Sequence, residues 1–176
     1  MSRSIKTELN RYLKSLDKAA LEKEVKTLYS KFKVVKEYYE LELGLNTAEV
    51  LESYKEKIKR EYFPSRGFGR ARSRESRKPI TAFKKIATSQ KDVVELLLYR
   101  VEMMLEFTRA YGDIDEPFYN SLEGSFYDAC KLIQKEKLES YFKKECLHLI
   151  ELAYPLGWGV QDTLQDYFDE FFTSNQ

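Results

Sequence analysis

Apolar side chains recur at helical spacing along almost the whole chain, and few glycines or prolines interrupt them. Ile5, Leu9, Tyr12, Leu13 and Leu16 follow an i, i+4, i+7, i+8 pattern, so they share one side of a helix. Asp17 is placed to cap a second helix carrying Leu21, Val25, Leu28, Tyr29 and Phe32 on one face. A third, Val34 to Leu43, stops at Gly44. Asn46 and Glu49 have the spacing of a capping box and open a helix through Val50, Leu51, Tyr54 and Ile58, which ends before Pro64. Gly and Pro together number only 11 of 176 residues, too few turn formers for a chain of many short strands.

Residues 65–78 carry no apolar period and read as a loop, with Pro79 suited to the first turn of a short helix through Ile80, Phe83 and Ile86. Ser89 starts the longest and most apolar helix, which runs to about Tyr111. On it Glu95, Glu102, Glu106 and Arg109 form one narrow polar stripe, the pattern of a central helix with a single wet edge. Beyond Gly112, Asp115 or Glu116 caps a helix with Phe118, Leu122, Phe126, Ala129 and Ile133 inward. Two more follow, through Leu138, Phe142, Cys146, Leu149 and Ile150, and through Val160, Leu164, Tyr167, Phe168, Phe171 and Phe172. The expected fold is all-α: eight or nine amphipathic helices in an irregular bundle or as stacked helical hairpins. A single domain, 1–176, suits this length; the alternative is two lobes, 1–64 and 79–176, joined by the basic loop 65–78.

A hydrophobic content of 43%, with 13 Tyr, 11 Phe and 1 Trp, is too rich for a disordered chain. One His and two Cys build neither a zinc finger nor a disulfide framework, and Cys130 and Cys146 sit in apolar helical patterns as buried thiols do. No secretory signal is expected after Met1–Lys6, and no run is apolar enough to span a membrane, so a cytoplasmic protein is expected.

The formal net charge of +1 is a cancellation. Residues 1–52 carry +1, residues 53–88 carry +9 and residues 89–176 carry −9. Such polarity bears on partners rather than on fold. The basic block concentrates Arg66, Arg70, Arg72, Arg74, Arg77 and Lys78 within 13 residues. Guanidinium forks suit phosphate, Gly67 and Gly69 allow close backbone approach, and Tyr62, Phe63 and Phe68 could stack on unpaired bases. The competing reading is internal: the loop lies across the acidic half and pairs with Glu102, Glu106, Asp113, Asp115 and Glu116.

The other candidates have plainer accounts. Asp113, Asp115 and Glu116 lack the spacing of a calcium loop and suit helix caps. The Glu95, Glu102 and Glu106 stripe has no Glu-x-x-His partner, which leaves it solvated or salt-bridged. His148 lies about 200° around its helix from Cys146, so the two form no dyad by themselves. Trp158, between Gly157 and Gly159, reads as an anchor pinning its turn on the core. No metal, cofactor or catalytic set is expected.

Three segments, Tyr62–Arg72, Tyr111–Tyr119 and Gly157–Gly159, together with the Lys31–Tyr39 stretch, resemble an uncharacterised family of small all-helical bacterial proteins, a domain of unknown function. The resemblance spans nearly the whole chain and implies a bacterial origin. It carries no activity and no catalytic residues. The functional expectation is a non-enzymatic helical module that binds a protein partner or itself through charge complementarity. RNA or single-stranded DNA binding through the Arg-rich loop is the alternative.

Overall fold

A computed structural model describes residues 4–172, within which nine α-helices and no strand occur. They are α1 (Ile5–Ser15), α2 (Lys18–Lys31), α3 (Lys33–Glu42), α4 (Thr47–Tyr62), α5 (Ser73–Phe83), α6 (Gln90–Tyr111), α7 (Glu116–Glu136), α8 (Glu139–Ala153) and α9 (Val160–Phe172). The all-α expectation holds. None of the described helices is long and apolar enough to cross a membrane.

The most apolar helix is also the central one. Twelve of the 22 residues of α6 are buried, and α4, α5, α7 and α8 all pack on it. Helix α9 closes the far side against α7 and α8. One continuous core runs from Leu41 to Phe171 through all of these elements. Three caps lie where their residue types belong. Asp17 accepts from the Ala20 N–H at 2.7 Å, Ser89 from Lys91 at 3.2 Å, and Asp115 from Phe118 at 2.9 Å.

Asn46 behaves differently from the expected capping box. Its side chain makes no cap hydrogen bond, and its backbone is left-handed at φ 54°. The chain reverses at Leu43–Leu45, with Gly44 at φ 66° and the Leu45 N–H returning to the Glu40 carbonyl at 2.8 Å. Asn tolerates the left-handed region, so it completes that reversal instead of capping α4. Helix α5 also begins six residues before Pro79, which shortens the loop to 65–72. The Arg72 carbonyl takes the N–H groups of Glu75 and Ser76, which starts the helix there and leaves Pro79 in its interior.

The first two helices stand apart from this core. Neither α1 nor α2 has a buried residue. No other described helix packs extensively along α1, while α2 leans on α3. Helix α3 in turn is pinned to α4 by the Tyr54 hydroxyl, which donates to the buried Glu37 carboxylate at 2.8 Å. Burial, and then Glu37, push the Tyr54 pKa well above its ordinary value.

Candidate functional site

The basic loop is clasped at its own base. The Glu61 carbonyl accepts the N–H groups of Arg70 at 3.0 Å and Ala71 at 3.1 Å. Its carboxylate accepts three more bonds from Arg72: the backbone N–H at 3.0 Å, Nε at 2.9 Å and a terminal nitrogen at 3.2 Å. Burial raises the Glu61 pKa, but the Arg72 bonds outweigh it and hold the carboxyl below the usual glutamate value. The clasp needs Gly69, because a Cβ there would lie 1.8 Å from the Tyr62 carbonyl oxygen. It also holds Ala71 at φ 50°, a conformation costing about 1–3 kcal/mol for a residue with a side chain.

The loop's cations therefore divide. Arg72 belongs to Glu61, and Lys78 to Glu75 at 2.7 Å. Arg77 donates to the Ser121 carbonyl at 3.3 Å. Arg66, Arg70 and Arg74 are exposed and have no ion pair among the described residues. Phe68 is 84% exposed and meets Tyr111 edge to face, with ring centroids 6.3 Å apart.

The five acidic residues expected to receive the loop do not pair with it. Asp115 caps α7 and Asp113 accepts from the Tyr119 hydroxyl at 3.2 Å. Glu116 opens α7, and Glu106 is exposed. Glu102 lies on the seam of α4, α6 and α8, near Glu145, His148 and Lys55. Closing an eleven-residue return on Glu61 costs less chain entropy than reaching residues thirty or more positions away. That favours the local carboxylate.

Beneath the loop lies a residue the sequence pattern did not single out. Arg100 on α6 is fully buried. Its Nε donates to the Ser76 hydroxyl at 2.8 Å, and its terminal nitrogens donate to the Ser121 carbonyl at 3.2 Å, the Ser121 hydroxyl at 2.9 Å and the Ser125 hydroxyl. Ser76 also accepts from the Tyr62 hydroxyl at 2.8 Å. Every bond goes to a neutral group. No carboxylate lies within ion-pair distance among the described residues, although Tyr62 and Asp128 exert weaker attraction. Burial lowers the Arg100 pKa first, and Arg77 lowers it further. The signal was present: at 100° per residue, Arg100 sits about 140° from Glu95, on the apolar side of α6.

The remaining candidates are dispersed. Glu95 is held by Lys55 at 2.6 Å, and burial raises the pKa of both Glu102 and Glu145. No group of three or more His, Cys, Asp or Glu side chains is arranged to hold a metal among the described residues. Cys130 and Cys146 are both free and buried, and they lie near one another between α7 and α8. His148 is exposed on α8. Trp158, expected to pin its turn on the core, is 58% exposed and left-handed at φ 66°. One face stacks on the buried Tyr119 with centroids 5.7 Å apart, and the rest meets solvent.

Apolar side chains are also left uncovered at the N-terminal end of the described residues. Along α1, α2 and the start of α3, eleven large side chains are exposed, among them Ile5 at 87%, Leu9 at 51% and Phe32 at 50%. Summed residue by residue, their exposed surface is on the order of 1,000 Å², comparable with the roughly 800 Å² that each partner buries in a standard interface.

The profile of a family of unknown function (DUF6155) matches residues 3–172. No curated protein and no solved structure matches the chain.

Proposed function

The chain belongs to that family of unknown function, matched over nearly its whole length, and we propose that it is a helical protein-interaction module that assembles with a second copy of itself. The uncovered apolar faces of α1 and α2 carry this reading. A helix with a strong apolar stripe has little stability alone in water, since most helical stability in proteins comes from packing that stripe. No other described helix packs extensively along α1, and none of its residues is buried.

A second copy fits on three grounds. Thirteen of the eighteen exposed large apolar side chains lie between Ile5 and Leu45, so the most extensive apolar counterpart among the described residues is the same arm on another molecule. The exposed area reaches that of a standard interface. The blocks of +9 and −9 draw unlike ends of two copies together before the apolar faces meet. The arm itself mixes signs, with the Glu8–Arg11 pair at 3.1 Å on α1. A bacterial, cytoplasmic setting goes with this reading, by family resemblance and by the two buried free thiols.

Replacing Leu9 and Leu13 with Glu tests it, since both are exposed and neither supports the core. Size-exclusion chromatography with light scattering should give a wild type of twice the 20.9 kDa chain mass and a monomeric L9E/L13E variant. A wild type that is monomeric at every concentration contradicts the proposal.

A second reading, RNA or single-stranded DNA binding, draws on Phe68 exposed beside the unpaired Arg66 and Arg70. It requires retention on a polyanion column that Arg66→Ala/Arg70→Ala abolishes.

A further inference from the structure

Helix α5 and the turn after it place Arg74, Arg77, Lys78, Thr81 and Lys85 at i, i+3, i+4, i+7 and i+11, along one side of the chain. That side walls an open groove of about 820 Å³, faced by Asn120 and Ser121 of α7. No acidic side chain lines it. Of its four cations only Lys78 has a carboxylate partner within the described residues, Glu75.

The back of the groove is charged as well. The Arg77 and Arg100 guanidinium groups converge on one acceptor, the Ser121 carbonyl, at 3.3 and 3.2 Å. Arg100 is fully buried, and neither group has a carboxylate within ion-pair distance among the described residues. Like charges this close, one of them desolvated, repel unless an anion neutralises them. The buried charge is hydrogen-bonded but not balanced from within this part of the chain. The open groove in front of it is where a balancing anion would enter.

We propose that this groove binds a chain of two or three phosphates, with Arg74, Arg77 and Lys85 as its principal ligands. Arg74 and Lys85 start roughly 16 Å apart along the wall, and their long side chains, reaching toward one another, leave a gap that a run of two or three phosphates fills better than a single tetrahedral ion. Guanidinium forks give paired charge-assisted bonds to phosphate oxygens, and Ser121 and Asn120 add neutral polar groups at the wall. No aromatic side chain lines the groove, so nothing there would stack on a base. The phosphate chain, not a nucleobase, is what these residues recognise.

Calorimetric titration of the full chain with inorganic tripolyphosphate tests this at low ionic strength. The wild type should bind one equivalent saturably, with affinity falling as salt rises. Arg74→Ala/Lys85→Ala, both exposed and outside the core, should weaken binding at least tenfold. Arg66→Ala/Arg70→Ala, in the neighbouring loop, should leave it within twofold. The monomeric L9E/L13E variant should bind as the wild type does, which separates this site from self-association. Absence of saturable binding overturns the proposal. So does equal loss in the loop and groove variants, the mark of diffuse charge. Binding of a single-stranded RNA oligonucleotide that Arg74→Ala/Lys85→Ala abolishes but tripolyphosphate does not displace overturns it too.

Discussion

The Nε of Arg100 on α6 donates to the hydroxyl of Ser76 on α5 at 2.8 Å, and both side chains are fully buried. Ser76 is thereby the joint of three elements, since Tyr62 at the end of α4 donates to the same oxygen, which in turn reaches the Ser73 carbonyl at 3.2 Å. A single hydroxyl thus sets how α5 sits on α4 and α6.

Ser76→Ala should cost about 3 kcal/mol. It strands the Arg100 Nε and the Tyr62 hydroxyl in a fully buried site, and a buried donor left unmade loses its full solvation, more so when charged. Urea unfolding of the variant checks this. A midpoint equal to wild type would mean that another acceptor takes both donors.

Replacing Arg100 itself should depend on what fills the space. Arg100→Met should be tolerated better than Arg100→Ala, by at least about 1 kcal/mol. Ser125 keeps the Ser121 carbonyl at 3.0 Å and Ser76 keeps the Ser73 carbonyl, so the hydroxyls retain partners while methionine fills the volume. Thermal melts of the two variants decide it, and an alanine variant as stable as the methionine one would contradict it.

Gly69→Ala should open the basic loop without unfolding the bundle. Its Cβ would meet the Tyr62 carbonyl oxygen at 1.8 Å, a backbone atom that cannot swing aside. The Glu61 bonds to Arg70, Ala71 and Arg72 should be lost together. Limited trypsin digestion should cut the variant within 66–72 at least tenfold faster, while the circular dichroism of the helices changes little. Equal cleavage rates would deny the clasp.

Two sets of carboxyls tilt the acid stability in opposite directions. Burial raises the folded pKa of Glu145, with Glu95 and Glu102 adding repulsion and Lys55 and His148 opposing it; burial, then Glu106, raises that of Glu102. An acid with a raised folded pKa destabilises the fold when ionised, so this penalty is relieved as pH falls from 7 through the folded value toward 4.5. Glu61 has the opposite sign: its contribution is present above the ordinary glutamate pKa and disappears as pH falls through its lower folded value. Urea midpoints should therefore rise as pH falls from 7 toward the ordinary glutamate pKa and fall again below it. Glu145→Gln should be more stable than wild type at pH 7 and flatten the upper limb. A wild-type midpoint that only declines with acid would contradict these assignments.

Much of the fold was legible because apolar spacing alone decides which side of each helix turns inward. The caps at Asp17, Ser89 and Asp115 and the stop at Gly112 were readable for the same reason, since their chemistry is local. What depended on contacts far along the chain was not. Pro79 marked a helix start by residue type, but the Arg72 carbonyl and the Ser76 joint start α5 earlier. The charge totals pointed to the acidic half as the loop's partner, whereas Glu61, one of only three acids in the basic block, holds it. Arg100 lies within the most apolar helix, and its position off the glutamate stripe already marked it as an inward-facing cation. The first helix looked like any amphipathic element, and nothing in its spacing said that its apolar side would be left uncovered.

The central claim is that a second copy covers that side. Hydrogen–deuterium exchange of the wild type, followed at two protein concentrations spanning the association range, tests it directly. Amides of Ile5–Ser15 should gain at least tenfold protection at the higher concentration, while those in the core of α6 stay unchanged. Fast, concentration-independent exchange throughout Ile5–Ser15 would contradict it.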